Sequence, residues 1–214
     1  MNSREHAPTI TEHELIARCK RGDRAAQHAL YERTSERVFR LLVRMTHSHE
    51  HAEDLAQETY LKAFSAIATF DERSALNTWL YRIAVNEALQ WLRRKKPALI
   101  DPEVASARPD PRDNGHDPGT RLDIEGAMAV LDPVDRAMLL LRYQEGLDYR
   151  AIAEITDIAM GTVASRLNRA RERLRGLLRD FEPQREETRL DTHRISHGRE
   201  AASRIAPSVE ERAS

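Results

Sequence analysis

Apolar residues along this chain recur with helical rather than strand spacing. In residues 52–69, Leu55, Ala56, Thr59, Tyr60, Ala63, Phe64 and Ile67 fall at i, i+3, i+4 intervals, which puts them on one face of an α-helix. The same periodicity predicts helices over 12–20, 24–46 (Leu30, Val38, Leu41, Leu42 and Met45 inward) and 76–96, the last ending before Pro97. Thr11, followed three residues later by Glu14, has the capping-box pattern, and Gly22-Asp23 makes a turn. His47–His51 interrupts the pattern and reads as a polar turn. Helices resume at Thr120, a candidate N-cap. Asp132-Pro133 opens a helix to Gln144, Asp148 caps a short helix over 149–156, and a tight turn leads into a long helix over 161–179.

Between Pro97 and Gly119 there are five prolines and two glycines with little to bury, the texture of a flexible linker. The tail from residue 182 mixes seven acidic residues with six arginines and holds only isolated apolar ones, so it is expected to be disordered. The fold class is therefore all-α, two small helical domains on a flexible linker: 9–97, linker 98–119, 120–181 and tail 182–214.

Composition narrows the function. With 34 basic and 35 acidic residues the overall charge is nearly balanced, but the two signs are segregated. Residues 161–179 carry six Arg and one Glu, whereas 101–125 carry seven acidic residues and three Arg. A helix so basic, beside an acidic linker, points to a polyanion-binding surface. Cys19 is the only cysteine, which excludes an intrachain disulfide and a cysteine metal site and suits a reducing cytoplasm. No apolar run approaches membrane-helix length.

The 148–179 unit reads as a helix-turn-helix. Ala153 supplies the small residue for close helix contact, Asp157 the turn, and Ile152, Ile155, Ile158, Val163, Leu167 and Leu174 its core. The second helix then presents Ser165, Asn168, Arg169 and Glu172 outward, with a length matched to a DNA major groove. On the 52–69 helix, Asp54, Gln57, Glu58 and Leu61 share a second face, suited to a partner helix bearing basic residues. Trp79, Trp91, Tyr81 and Phe70 with the Arg93-Arg94-Lys95-Lys96 cluster could serve single-stranded nucleic acid, although the tryptophans also fit a core. His47, His49, His51 and Glu53 invite a metal, but alternate spacing gathers ligands only on a strand, so no metal is assigned. No catalytic motif is present, hence no catalytic residue and no cofactor.

The run LDPVDRAMLLLRYQEGLDYRAIAEITDIAMGTVASRLNRARERL (131–174) resembles region 4 of the extracytoplasmic-function (ECF) sigma factors. HAEDLAQETYLKAF (51–64) and TWLYRIAVNEALQWLRRKK (78–96) resemble their region 2. The resemblance departs from the family pattern at Asp157, where glycine is usual, and at Ala164, often basic. It implies core RNA polymerase and promoter DNA as partners, an anti-sigma factor, often membrane-bound, and no small-molecule substrate. It assigns Asp54, Gln57, Glu58 and Leu61 to polymerase docking. It further assigns Phe70, Trp79, Arg82, Asn86, Arg93 and Arg94 to the −10 element, with Asn86 reading a flipped base, and Thr162, Ser165, Arg166, Asn168 and Arg169 to the −35 element. Two other readings fit part of the residues: a stand-alone repressor or activator with a C-terminal helix-turn-helix, which leaves the Trp79–Ala84 block unexplained, and a metal-dependent helical enzyme built on the histidines.

Overall fold

The computed structural model describes residues 10–95 and 118–179. The linker expected over 98–119, up to residue 117, and the tail from 182 lie outside the described residues. Those described are arranged as helices and short turns, with no strand among them.

Helix α1 (Glu12–Lys20) starts at Thr11, whose hydroxyl accepts the Glu14 amide at 3.2 Å. Asp23 then caps α2 (Arg24–Thr46) through the amides of Ala25 and Ala26. The break expected over 47–51 is much shorter than its sequence suggests. His47 closes α2 in the left-handed region, at φ 54°, with its amide on the Val43 carbonyl at 2.7 Å. Ser48 immediately caps α3 (His49–Ala66), its Oγ accepting the His51 amide. A serine N-cap satisfies an orphan amide within one residue of the previous helix, so α3 begins three residues before Ala52. It gives way to a 3-10 turn, Ile67–Thr69, before α4 (Leu76–Lys95).

The C-terminal helices are α5 (Pro118–Ala129), α6 (Pro133–Tyr143), α7 (Tyr149–Thr156) and α8 (160–179). Helix α5 begins two residues before Thr120, at a proline whose fixed φ and missing amide suit a first turn.

Helices α2, α3 and α4 pack around Leu41, Leu42, Met45, Leu80 and Val85, all 1% exposed or less. A smaller cluster forms where Leu15, Ile16 and Cys19 of α1 meet Leu30, Ile67, Phe70 and Leu76. The larger cluster does not stop at the linker. Met138, Leu141, Ile152 and Ile155 continue it, with α7 packed on α4 and α6 on α2 and α4.

Polar groups fix this joint. Arg136 of α6, 5% exposed, donates from Nε to the Met128 carbonyl (2.9 Å), from Nη2 to Ala129 (2.7 Å) and Leu131 (3.3 Å), and from Nη1 to Met45 (2.5 Å). Met45 belongs to the last turn of α2, whose carbonyls lack helical partners and carry the negative end of the dipole. A planar guanidinium with five donors satisfies such a ring of carbonyls where an ammonium could not. Burial lowers its pKa to about 10, so it remains charged at neutral pH. Nearby, the buried Tyr81 hydroxyl of α4 donates to the Glu145 carboxylate, and burial followed by that bond pushes the phenol well above its usual range.

His47 lies beside this charge, half-buried and with Nε2 unpartnered. Burial, then the Arg136 charge, lowers its pKa to about 4. The folded state therefore resists a proton that the unfolded chain takes up near pH 6.5. Stability is fully present above that pH and falls as pH drops towards 4, by at most about 3 kcal/mol. Thermal unfolding followed at pH 7.5 and pH 5 is expected to show this loss, and His47→Asn, which tolerates left-handed backbone, is expected to reduce it.

Candidate nucleic-acid interface

The capping geometry expected at the C-terminal end is present. Asp148 Oδ1 accepts the Ala151 amide at 2.8 Å and starts α7. Asp157 ends it in the left-handed region, at φ 55°, a conformation that aspartate tolerates better than most residues. The Ile158 amide closes the turn on the Ala153 carbonyl at 3.2 Å. Ile152, Ile155 and Val163 are fully buried, Leu167 and Ala170 nearly so, and Ile158 and Leu174 pack at the margin. These two helices, set by the three-residue turn 157–159, form a helix-turn-helix.

Burying Val163, Leu167 and Ala170 fixes the rotation of α8 and turns Thr162, Ser165, Asn168 and Arg169 to the outside. Ser165 bonds back to the Thr162 carbonyl at 2.9 Å, and Asn168 Oδ1 accepts from Arg171 at 3.4 Å. Arg166 is placed differently. It is half-buried, with Nε on Asp135 Oδ1 at 2.8 Å and Nη2 within 3.4 Å of Asp132. Asp132 also caps α6, so Arg166 ties the second helix of the motif to the start of α6. The Asp132 and Asp135 carboxylates in the first turn of α6 were the signal for this pairing.

In the N-terminal helices, Asp54, Gln57, Glu58 and Leu61 form one exposed stripe along α3, with Leu61 59% exposed. Asp54 and Glu58 also line a groove between α3 and α4 that includes Trp91 and Arg94. Lys62 of α3 holds Glu87 of α4 at 2.6 Å across that groove. On α4, Arg82, Asn86 and Arg93 are exposed, and their spacing places them near one face with half-buried Trp79. Phe70 is 4% exposed. Its ring lies 5.1 Å from that of Trp79, so it anchors the loop before α4 from beneath rather than standing on the surface.

The histidine segment is also part of the fold. His51 bonds to Ser48 Oγ at 2.7 Å and rests on Trp91, and His49 lies against Phe39. The described residues contain no group of three His, Cys, Asp or Glu that could hold a metal ion. Cys19 is buried, and burial raises its thiol pKa. No described helix is long and apolar enough to cross a membrane.

Comparison with known proteins agrees with this geometry. The sigma-70 region 2 family matches residues 30–97, and the sigma-70 region 4 family matches residues 121–174. The ECF RNA polymerase sigma factor SigW of Bacillus subtilis is 33% identical over 179 residues, 78% of this chain and 96% of that protein. The ECF RNA polymerase sigma-E factor of Haemophilus influenzae is 36% identical over 179 residues, 78% of this chain and 94% of that protein. The chain belongs to the ECF RNA polymerase sigma factors. Members of that family are transcription initiation factors rather than catalysts, and this sigma factor acts in promoter recognition by RNA polymerase.

Among solved structures, the sigma factor RpoE of Bartonella quintana, crystallised with the anti-sigma factor NepR, matches with a TM-score of 0.61 and 27% identity. That match covers 71% of this chain and 96% of the other. CnrH, in complex with the cytosolic domain of CnrY, shares the fold at a TM-score of 0.60 and 21% identity, over 78% and 96% of the two chains. Helices α2–α4 are thus region 2 and α5–α8 region 4 of the sigma factor.

Proposed function

We propose that this sigma factor docks on core polymerase through Asp54, Gln57, Glu58 and Leu61. In this reading α8 lies in the −35 major groove, and the outer face of α4 holds single-stranded bases of the −10 element. The observation that carries it is the outward set Thr162, Ser165, Asn168 and Arg169 on the second helix of a helix-turn-helix, at the positions such a motif uses for base edges and phosphates. Arg166 acts from behind, by fixing that helix against α6. Trp79, Arg82, Asn86, Arg93 and Arg94 serve the −10 strand: an amide offers donor and acceptor to a base edge, and the arginines follow the backbone. Phe70 contributes by supporting Trp79. The protein has no catalytic chemistry of its own, works in the cytoplasm with the polymerase, and is held in reserve by an anti-sigma factor.

The −10 and −35 elements lie ~25 base pairs apart, ~85 Å along B-DNA at ~3.4 Å per step. A packed body of the described size is only about 40 Å across. One sigma factor therefore reaches both elements only after region 4 leaves region 2, breaking the Arg136–Met45 and Tyr81–Glu145 bonds.

Run-off transcription on genomic fragments with purified core polymerase tests the function directly: promoter-specific transcripts that depend on the protein support it, and their absence refutes it. Replacing Asp54, Gln57 and Glu58 with Lys is expected to weaken competition for core while leaving helicity intact, because the face is exposed and its partner basic; unchanged affinity would remove this face from docking. Arg169→Ala is expected to lose about 1–3 kcal/mol of −35 duplex binding if it contacts a base, and less if it contacts a phosphate. Asn86→Ala is expected to leave −35 binding intact, to reduce open-complex formation as read by permanganate footprinting of the bubble, and to relax preference at one −10 position. Equal loss of −35 binding in both variants would contradict this division of labour.

A further inference from the structure

Helix α1 lies ahead of the segment matched by the region 2 family, which begins at residue 30. Its side chains nevertheless reach the loop between Thr69 and Leu76 that leads into α4. Glu72, in that loop, has φ 60°, left-handed backbone that glycine adopts freely and a side chain with a Cβ seldom does. A residue kept in such a conformation is held there by its surroundings, and here the surroundings are two basic groups from α1. Glu72 Oε1 accepts from Lys20 Nζ at 2.8 Å, and Glu72 Oε2 meets His13 Nδ1 at 2.8 Å. The Lys20 and Glu72 side chains are 28% and 32% exposed, so this pair is partly screened from water. The Lys20 bond first, then that of His13, holds the Glu72 carboxyl below the usual carboxylate range.

The same lysine links the clamp to the proposed reading surface. Lys20 Nζ lies 5.9 Å from the centroid of Phe70, and Phe70 lies against Trp79 in the first turn of α4. The loop is thus fixed at its start by burial of Phe70 and at Glu72 by charge, immediately before the helix that carries Arg82 and Asn86.

We propose that Glu72 is a positioning residue for −10 recognition, its carboxylate clamping the loop to α1 so that the loop and the start of α4 present one conformation to the melted strand. This rests on the proposed assignment of the outer face of α4 to the −10 element. Exposed and half-exposed ion pairs contribute little to global stability. Loss of the clamp therefore changes loop conformation, and with it base discrimination, more than it changes melting.

The test uses full-length sigma factor with core polymerase, the promoter that gives the strongest run-off product, and single-base −10 variants of that promoter. Glu72→Lys is expected to narrow discrimination among those variants about tenfold, within the range of one base contact, while −35 duplex binding and the unfolding temperature stay unchanged. Lys20→Glu is expected to do the same, and Lys20→Glu combined with Glu72→Lys to restore discrimination by rebuilding the pair in reverse. Glu72→Gly separates positioning from stability: it relieves the backbone and removes the clamp, so melting is preserved or improved while discrimination falls. Full discrimination in Glu72→Gly and Glu72→Lys, alongside its loss in Asn86→Ala, would overturn the clamp alone. Full discrimination in Asn86→Ala as well would overturn the −10 assignment and the clamp with it.

Discussion

The burial of one guanidinium governs how the two halves of this sigma factor meet. Arg136 sits among four carbonyls, three from its own region and one, Met45, from the end of α2. A charge taken out of water is costly unless its donors are satisfied, and here they are satisfied only when α6 lies against the C-terminus of α2. The Met45 carbonyl has the complementary need, being an end group of a 23-residue helix. The apolar contact of α7 with α4 then follows, and the Tyr81–Glu145 bond closes it. His47 marks the cost of the arrangement, a half-buried imidazole facing a fixed positive charge with one nitrogen unpartnered.

Local chemistry written into the sequence was legible to the residue in several places. The spans of α1, α2 and α7 follow from Thr11, Asp23, Asp148 and periodic apolar residues, and the Asp157 turn survives without glycine because aspartate can adopt left-handed backbone. Illegible features depend on partners distant in the chain. Arg136 precedes the apolar run Ala137–Leu141 and reads as a solvated position, yet its decisive acceptor lies 91 residues away. Arg166 looks like one more basic residue on a basic helix until the Asp135 carboxylate is found beside it. Phe70 carries the aromatic character that a base-stacking surface needs, but its ring is used inside the small cluster beneath α1. Ser48 is an ordinary N-cap whose signal is masked by the histidines on either side of it.

The candidate site is therefore a set of exposed residues held by a second set that stays within the fold. Val163, Leu167, Ala170 and Arg166 fix the rotation of α8, and Asn168 and Arg169 are outward as a consequence. The Lys62–Glu87 bond ties α3, the proposed docking helix, to α4, and the groove it spans is lined by Asp54, Glu58 and Arg94. Polymerase docking and −10 capture would then share one rigid element, so that engagement of the enzyme orients the reading surface.

Region 4 rests on region 2 in the free protein and, in the proposed function, leaves it on the promoter. Electron-spin distance measurement between labels at the exposed positions Ser65 and Arg171, with buried Cys19 replaced by alanine, follows this release. The free protein should give one short, narrow distribution, and the complex with core polymerase and promoter DNA should shift it outward by several tens of ångströms, towards the ~85 Å spacing of the two elements. A distribution unchanged between the free protein and a transcriptionally active complex, or already long and broad in the free protein, would rule this release out.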